Sequence, residues 1–238
     1  MNREHATSRQ PEAPTIHGRF DGGFGWIAHP GELMERASTA LAEGGRVWLV
    51  DPVRAPGIED AIASCGKVAA VLQTVPWHDR DVAWFATLYG VPIYVPRQQA
   101  AMSRRMLNSP VEAVDALVPD SPLRFVPAHG RGILRLWKEA AVWWPEQGVL
   151  VIGDALGAAL YYIRPGERLA VHPIRRLSPP VELGALRPQR LFSGHGPGVI
   201  ADAAAALDHA LATARSELLP AWRHALRSGW WRMRRDVG

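Results

Sequence analysis

The sequence predicts a mixed α/β domain, and three patterns support this. An apolar run over Lys67–Leu72 ends in a polar loop, a helical pattern follows as far as Tyr89, and residues 91–96 return to a strand pattern. Together these segments make a β-α-β unit. Residues 140–154 are typical of a hairpin, because two apolar stretches flank the turn Pro-Glu-Gln-Gly. Ligands of open α/β sheets bind at the carboxyl ends of strands, which is where the polar loop lies.

The remaining segments follow from the same periodicities and from glycine and proline breaks. Strand patterns occupy residues 20–27 (a glycine-punctuated strand or hairpin), 46–50, 113–118, 123–126, 133–137 and 191–193. Helical patterns occupy residues 58–65, 98–107, 201–219 and, after a break at Pro220, 221–227. Residues 32–41 combine helix-like content with strand-like residues, so their structure stays open. We expect a disordered tail over residues 1–14, one domain over 15–219 and a basic appendage over 220–238.

Composition indicates a soluble globular protein, with 47% hydrophobic and 21% charged residues among 238. A single cysteine, Cys65, excludes an internal disulfide framework and is typical of a reducing compartment. No apolar run approaches the ~20 residues that cross a bilayer, and the first residues lack the apolar segment of a signal peptide. We therefore expect a cytoplasmic protein. A net charge of +4 does not by itself indicate a nucleic-acid partner.

The C-terminal segment interleaves Trp222, Trp230 and Trp231 with arginines. This composition suits a nucleic-acid backbone or an anionic membrane surface. The alternative is that the tryptophans pack on the domain or on a second subunit, which would make a homodimer. We favour packing, because the segment is short and Gly229 interrupts it.

The polar loop over residues 74–81 reads Thr-Val-Pro-Trp-His-Asp-Arg-Asp, with a strand before it and a helix after it. Its order resembles the first metal-binding motif of the metallo-β-lactamase superfamily, Thr-His-x-His-x-Asp-His. In this alignment His78 stands at the second histidine and Pro76 at the first. Arg80 stands at the aspartate and Asp81 at the last histidine. The resemblance therefore implies a metal-binding loop in which one histidine is kept and Asp81 offers an oxygen ligand.

Three further stretches continue the resemblance in the superfamily's order. Residues 47–52 resemble the strand that ends in Asp-Pro ahead of the first motif. Residues 150–156 resemble the strand whose Gly-Asp carries the metal-bridging aspartate, which implies that role for Asp154. Residues 191–196 resemble the Gly-His-Gly motif, which implies that His195 is the last ligand.

These stretches span roughly residues 20–215, and the resemblance implies a four-layer αββα sandwich in one domain. The superfamily's Gly-His-Thr/Ser motif is not kept. An ungapped count puts its histidine at Arg135, whereas His129 would need an insertion, and we prefer the ungapped count. His29, His129 and His172 are then expected on the surface or in loops, while Arg36 and Ser38 are weaker candidates for the pocket.

Arginine at two ligand positions argues against a two-zinc centre. A guanidinium stays protonated and has no acceptor lone pair, so Arg80 and Arg135 would put positive charge where metal ions should lie. The expected cofactor is therefore none or one divalent ion, with zinc, iron or manganese as candidates. The candidate ligands of that ion are His78, Asp81, Asp154 and His195.

Three hypotheses of function follow. The first is a divergent protein of this fold that binds or turns over a small anionic ligand through Arg80 and Arg135, without the two-zinc centre. The second is a one-metal hydrolase that activates water. The third is a non-catalytic interaction protein, so enzymatic activity stays open. The candidate catalytic residues are His78, Arg80, Asp81 and Asp154.

Overall fold

The computed structural model describes residues 13–78, 80–129, 134 and 136–227, and in them a large sheet follows the order of the chain. Its strands are β1 (Thr15–Phe20), β2 (Gly23–Ile27), β3 (Ala37–Glu43), β4 (Arg46–Val50), β5 (Lys67–Leu72), β6 (Ile93–Pro96) and β7 (Glu112–Val114). Neighbours are antiparallel from β1 to β4 and parallel from β4 to β7. The parallel half is the part that carries the predicted β-α-β unit.

A second sheet has the spatial order β13-β10-β9-β8. Its strands are β8 (Arg124–Pro127), β9 (Ala140–Trp144), β10 (Val149–Ile152) and β13 (Arg190–Ser193). A short ladder pairs β11 (Leu156–Gly157) with β12 (Ala170–Val171). Strands β9 and β10 form the predicted hairpin, and β10 runs parallel to β13.

Five α-helices and three short 3₁₀ helices complete the described part of the chain. The α-helices are α1 (Ile58–Ala63), α2 (Val82–Tyr89), α3 (Ala100–Leu107), α4 (Ala203–Thr213) and α5 (Leu218–Arg227). The 3₁₀ helices cover Arg97–Gln99, Pro173–Leu177 and Val181–Leu186. Among the described residues, none of the helices has the length and apolar character needed to cross a membrane.

The two sheets pack face to face around a shared apolar core. Leu41 and Leu72 of the first sheet belong to the same buried cluster as Phe125 and Val151 of the second. Removal of this apolar surface from water is the main favourable term that holds the two sheets together.

Helices cover the outer face of each sheet. Ile58, Phe85 and Leu107 bring α1, α2 and α3 into the cluster on the outside of the first sheet. On the other side of the molecule, Leu207 of α4 packs in a cluster with Leu150 of β10. The four layers confirm the predicted αββα sandwich.

Local signals explain several boundaries, and long-range contacts explain the exceptions. Gly90 ends α2 in the left-handed conformation, with a φ of 63°, as a glycine cap does. The sequence left the structure of residues 32–41 open between helix and strand. In the structure, turns in this segment lead into β3, in which Ser38 is buried. In the predicted strand over residues 133–137, the described Leu134, Leu136 and Trp137 lie outside any strand.

The C-terminal helical region differs from the prediction. Helix α4 ends at Thr213 and α5 already begins at Leu218, so Pro220 lies in the first turn of a helix rather than at a break. Proline is tolerated there, because a first-turn residue has no intrahelical partner for an N–H group. Trp222 donates its indole N–H to the Pro173 carbonyl at 3.0 Å. The tail over residues 1–12 and residues 228–238, with Trp230 and Trp231, lie outside the described residues, and the prediction that the C-terminal tryptophans pack stays a prediction.

Candidate functional site

Four polar residues lie where parallel strands of both sheets end. Asp51 directly follows β4, and Thr74 comes two residues after β5, the parallel neighbour of β4. Asp154 comes two residues after β10, and His195 two residues after its parallel neighbour β13. Because the carboxyl ends of parallel strands meet at one edge, the stacked sheets bring the four residues together.

The centre of the site is a buried His-Asp-His cluster. The Oδ1 atom of Asp154 lies 2.7 Å from Nε2 of His78 and 2.9 Å from Nε2 of His195. The potential ligand atoms of these three residues lie within 4.8 Å of one another, so the cluster could hold a metal ion. Trp77 donates its indole N–H to the other carboxylate oxygen, Oδ2, at 2.5 Å. Asp154 is therefore held by three side chains.

Each histidine of the cluster is oriented through its second ring nitrogen. Nδ1 of His78 lies 3.1 Å from Oδ2 of Asp51, and Nδ1 of His195 lies 2.8 Å from the carbonyl oxygen of Met34. Asp51 is itself fixed, because it accepts hydrogen bonds from the backbone N–H, at 2.9 Å, and the hydroxyl of Thr74. With Nδ1 turned to an acceptor, each ring points Nε2 at the same oxygen of Asp154.

Arg80 lies against the cluster and ties three segments of backbone together. Its Nη1 atom donates to the carbonyls of Ala37, at 2.6 Å, and Asp51, at 3.2 Å. Its Nη2 atom donates to the Gly194 carbonyl at 2.9 Å and lies 3.3 Å from Nε2 of His78. The guanidinium thus places a fixed positive charge beside the cluster.

Glu139 fixes the backbone at Asp154 through hydrogen bonds. Its Oε1 atom accepts from the backbone N–H groups of Asp154 at 2.9 Å and Ala155 at 3.0 Å, and Oε2 accepts from the Trp137 indole at 2.7 Å. Glu139 has no exposed surface, and this burial raises its pKa to about 7. A Cβ at Gly153 would lie 2.5 Å from the Thr74 hydroxyl and 3.2 Å from Oε1 of Glu139, so glycine is the residue that fits before Asp154.

The cluster opens into a pocket of about 300 Å³. Its lining residues are Met34, Arg36, Trp77, His78, Arg80, Asp154, His172 and His195. His172, expected on the surface or in a loop, is buried here, with its ring centroid 5.2 Å from that of Trp137 and 5.3 Å from that of Tyr162. Burial lowers the pKa of His172 to about 4, so its ring is neutral at physiological pH.

Comparison with known proteins gives matches of structure. No family model matches the chain, and no curated protein matches it in sequence. The metallo-β-lactamase DIM-1, in a crystal exposed to ceftazidime, is 16% identical, and the match covers 87% of this chain and 99% of that chain with a TM-score of 0.63. This chain has the metallo-β-lactamase fold.

Two further structures of this fold are similar at lower identity. The match to FIM-1 from Pseudomonas aeruginosa, in its mono-zinc form, has 15% identity and a TM-score of 0.61, and covers 89% and 99% of the two chains. A metallo-β-lactamase from Hirschia baltica matches at 12% identity and a TM-score of 0.59, with 85% and 98% covered.

Within the metallo-β-lactamase fold, the structure brings some predicted residues together and places others apart. His78, Asp154 and His195 form the cluster, and Arg80 lies beside it. The carboxylate of Asp81 lies on Arg54 instead, with Oδ2 2.7 Å from its backbone N and Oδ1 3.0 Å from its Nε. Asp81 is also the residue before α2, but in the described structure its carboxylate does not cap that helix.

The other predicted positions have different outcomes. Arg36 lines the pocket as expected, and its guanidinium forms two hydrogen bonds with Glu32, at 2.6 and 2.8 Å. His129 lies next to Gln98, with 3.3 Å between Nε2 atoms, and is not part of the cluster. Arg135 lies outside the described residues, so its ligand-binding role stays a prediction.

The donor set fits one metal ion. Two imidazoles and one carboxylate are the three protein ligands of many catalytic zinc sites, in which a fourth position is left open. With zinc bonds of about 2.0–2.1 Å, neighbouring ligands of a tetrahedral site lie about 3.3 Å apart, so the contacts of 2.7 and 2.9 Å would need to widen by about half an ångström. Among the described residues, His78, Asp154 and His195 are the only group that could hold a metal ion, and the positive charge of Arg80 beside them opposes a second ion.

Proposed function

We propose that this chain is a hydrolase with a site for one divalent ion, held by His78, Asp154 and His195, and with Arg80 as a fixed cation beside it. The observation that carries the proposal is the orientation of the two imidazoles. Both turn Nδ1 to an acceptor and Nε2 to a single oxygen of Asp154. In metal sites, a ligating histidine donates its other N–H to a carboxylate or a carbonyl in this way.

Counting protons supports a metal ion at His195, whereas at His78 the count is also consistent with a proton. A neutral imidazole has one N–H, so a ring that donates from Nδ1 presents a lone pair at Nε2. A lone pair facing a carboxylate oxygen needs a cation between them, either a proton or a metal ion. Burial lowers the pKa of His195, which opposes a second proton on that ring. Burial also opposes a second proton on His78, but the neighbouring carboxylates of Asp154 and Asp51 outweigh it and raise the pKa of that histidine.

The chemistry is divided between the ion and the residues around it. A divalent ion in such a site lowers the pKa of a bound water and polarises a substrate carbonyl or phosphoryl oxygen. His78, Asp154 and His195 would hold the ion, while Glu139 keeps the Asp154 turn in place. Arg80 spends much of its hydrogen-bonding capacity on carbonyls, so it contributes mainly electrostatic stabilisation of negative charge on the substrate. The similar structure of FIM-1, which is in a mono-zinc form, supports a site for a single ion.

Metal content tests the proposal. Full-length protein purified without chelator and without added metal is expected to contain about one equivalent of zinc, iron or manganese by elemental analysis. Asp154→Ala and His195→Ala should lose it, whereas the control His129→Ala should keep it. Two equivalents of tightly held metal, or a folded protein that binds none when zinc is supplied, would contradict the proposal.

A second candidate function is a metal-free site that binds a small anionic ligand. The distances from Oδ1 of Asp154 to Nε2 of His78, 2.7 Å, and to Nε2 of His195, 2.9 Å, favour this candidate, because they have the length of hydrogen bonds. In this case a protonated His78 would bridge Asp51 and Asp154, and Arg80 would supply positive charge for the ligand. Metal-free protein that binds phosphate or acetate, and loses this binding in Arg80→Gln, would favour this candidate over the hydrolase.

A further inference from the structure

An apolar groove adjoins the pocket of the site. We infer that this groove receives the apolar part of an amphiphilic substrate whose polar group lies at the His-Asp-His cluster. The inference rests on the proposed function and specifies its substrate class. The groove has a volume of about 300 Å³, and its lining residues are Tyr161, Pro173, Ile174, Trp222, Ala225 and Leu226.

The groove is a built structure with apolar walls. Trp222 donates its indole N–H to the Pro173 carbonyl, so the polar atom of the ring is satisfied and its carbon surface is left for the groove. Ala225 is buried and packs in a cluster with Tyr161. A wall fixed in this way loses little conformational freedom when a ligand binds.

The groove lies beside the pocket, because residues that line the groove are in contact with residues that line the pocket. The ring of Tyr161 in the groove lies 5.5 Å, centroid to centroid, from the ring of His172 in the pocket. Met34, which lines the pocket, packs against the cluster that contains Tyr161 and Ala225. The negative charge of Asp154 also contributes to the raised pKa of Tyr161, whose largest cause is burial, so the phenol lies within electrostatic range of the cluster. A molecule bound at the cluster is therefore next to the groove.

Exposure and size favour a small molecule as the occupant. Ile174, Trp222 and Leu226 are 45%, 49% and 54% exposed, and contiguous apolar patches on soluble proteins mark binding sites. The volume lies at the lower end of the range for small-molecule pockets, about 300–1,000 Å³. A stable protein interface would cover roughly 800 Å² on each partner, far more than this groove offers.

A series of straight-chain carboxylates tests the inference. Butanoate, octanoate and dodecanoate would be titrated into the full-length protein by calorimetry. Burial of each methylene in the groove should tighten binding about fourfold, until the groove is full. Ile174→Glu and Leu226→Glu should remove this dependence on chain length. Leu219→Glu is the matched control, because Leu219 is an exposed leucine of the same helix outside the groove.

The outcomes separate this inference from the proposed hydrolase. A chain-length dependence that survives in both groove variants, or that is absent from the unaltered protein, overturns the inference. So does a dimer that Leu226→Glu dissociates without changing carboxylate binding, since the groove would then be a subunit interface. A groove-dependent preference for long chains in a protein without metal supports the groove and contradicts the hydrolase. One equivalent of metal without that preference contradicts the groove alone.

Discussion

At the level of single residues, the two carboxylate oxygens of Glu139 accept hydrogen bonds from three N–H groups. The effect of changing this residue on stability and on metal binding can therefore be predicted. Glu139→Gln replaces one carboxylate oxygen with an NH₂ group, which then faces an N–H donor instead of accepting from it. We expect a loss of about 1–3 kcal/mol in the free energy of unfolding, because a buried donor is left unpaired. We also expect metal affinity to fall about 10–100-fold, as when residues that support metal ligands are altered.

The two effects of Glu139→Gln are separable by experiment. Urea denaturation measures the stability, and competition with a chelator measures the metal affinity. Glu146→Gln provides the control, because Glu146 is exposed in the turn between β9 and β10. A variant that is destabilised but binds metal as the unaltered protein does would show that Glu139 supports the fold and not the site.

The site residues differ in how far sequence could reveal them. His78, Asp154 and His195 lie in the loops that follow β5, β10 and β13, so motif order was enough to predict that they lie together. Glu139 and His172 carry no such signal. Glu139 meets Asp154 because β9 and β10 pair, and His172 reaches the pocket because aromatic rings surround it. Both depend on contacts between segments, which a pattern along the chain does not contain. A glutamate at the start of an apolar hairpin was the one hint of a buried carboxylate.

At the level of secondary-structure elements, Arg80 joins three segments through carbonyls on β3, after β4 and after β13. Arg80→Lys keeps the positive charge but cannot reach all three carbonyls with one ammonium group. We expect this variant to lose roughly 1–3 kcal/mol of stability, because buried carbonyls lose their donors. Urea denaturation would measure that loss.

A second variant separates the charge of Arg80 from its hydrogen bonds. Arg80→Gln removes the positive charge as well as the guanidinium hydrogen bonds. If the charge of Arg80 acts on the site, the metal affinity of Arg80→Gln should differ from that of Arg80→Lys. Arg104→Lys, on α3 away from the cluster, is the control. Equal metal affinity in the Lys and Gln variants would show that the charge of Arg80 does not act on the site.

The elements themselves were predicted where the signal is local. The β-α-β unit and the β9–β10 hairpin are confirmed, since apolar periodicity and turn residues define them. Residues 32–41 were left open, because helix-like content is followed there by Ser38, Thr39 and strand-like residues. In the structure Ser38 and Thr39 are polar residues of a buried strand, β3. The Ser38 hydroxyl donates to the Asp51 carbonyl and accepts from the Val53 N–H, so its polarity is satisfied by another segment. No pattern within residues 32–41 contains that information.

At the level of the whole molecule, the layer order was predictable although sequence identity to the similar structures is only 12–16%. Four short stretches in the right order were sufficient, because each lies at a strand end and the topology fixes the strands around it. The apolar groove beside the site was not predictable. It forms where α5 packs near the 3₁₀ helix Pro173–Leu177, two segments about fifty residues apart in the chain.

The contact between the two sheets also predicts how stability depends on pH. His17 of β1 accepts a hydrogen bond at Nδ1 from the Gly198 N–H, at 3.0 Å, in the loop after β13. Burial lowers the pKa of His17 from 6.5 to about 4. The unfolded chain therefore takes up a proton at higher pH than the folded one. The stabilisation is complete above pH 6.5 and is lost progressively as the pH falls toward 4, by about 3 kcal/mol in total.

Urea denaturation between pH 7 and pH 4 would measure this loss. His17→Asn keeps an acceptor for the Gly198 N–H but cannot be protonated, so its stability should fall less steeply with acidification than that of the unaltered protein. His209→Asn, an exposed histidine on α4, should keep the full slope. Parallel curves for the unaltered protein and His17→Asn would show that His17 does not contribute to the pH dependence. A smaller slope in His17→Asn alone would identify the junction between β1 and the loop after β13 as the place where protonation weakens the sandwich.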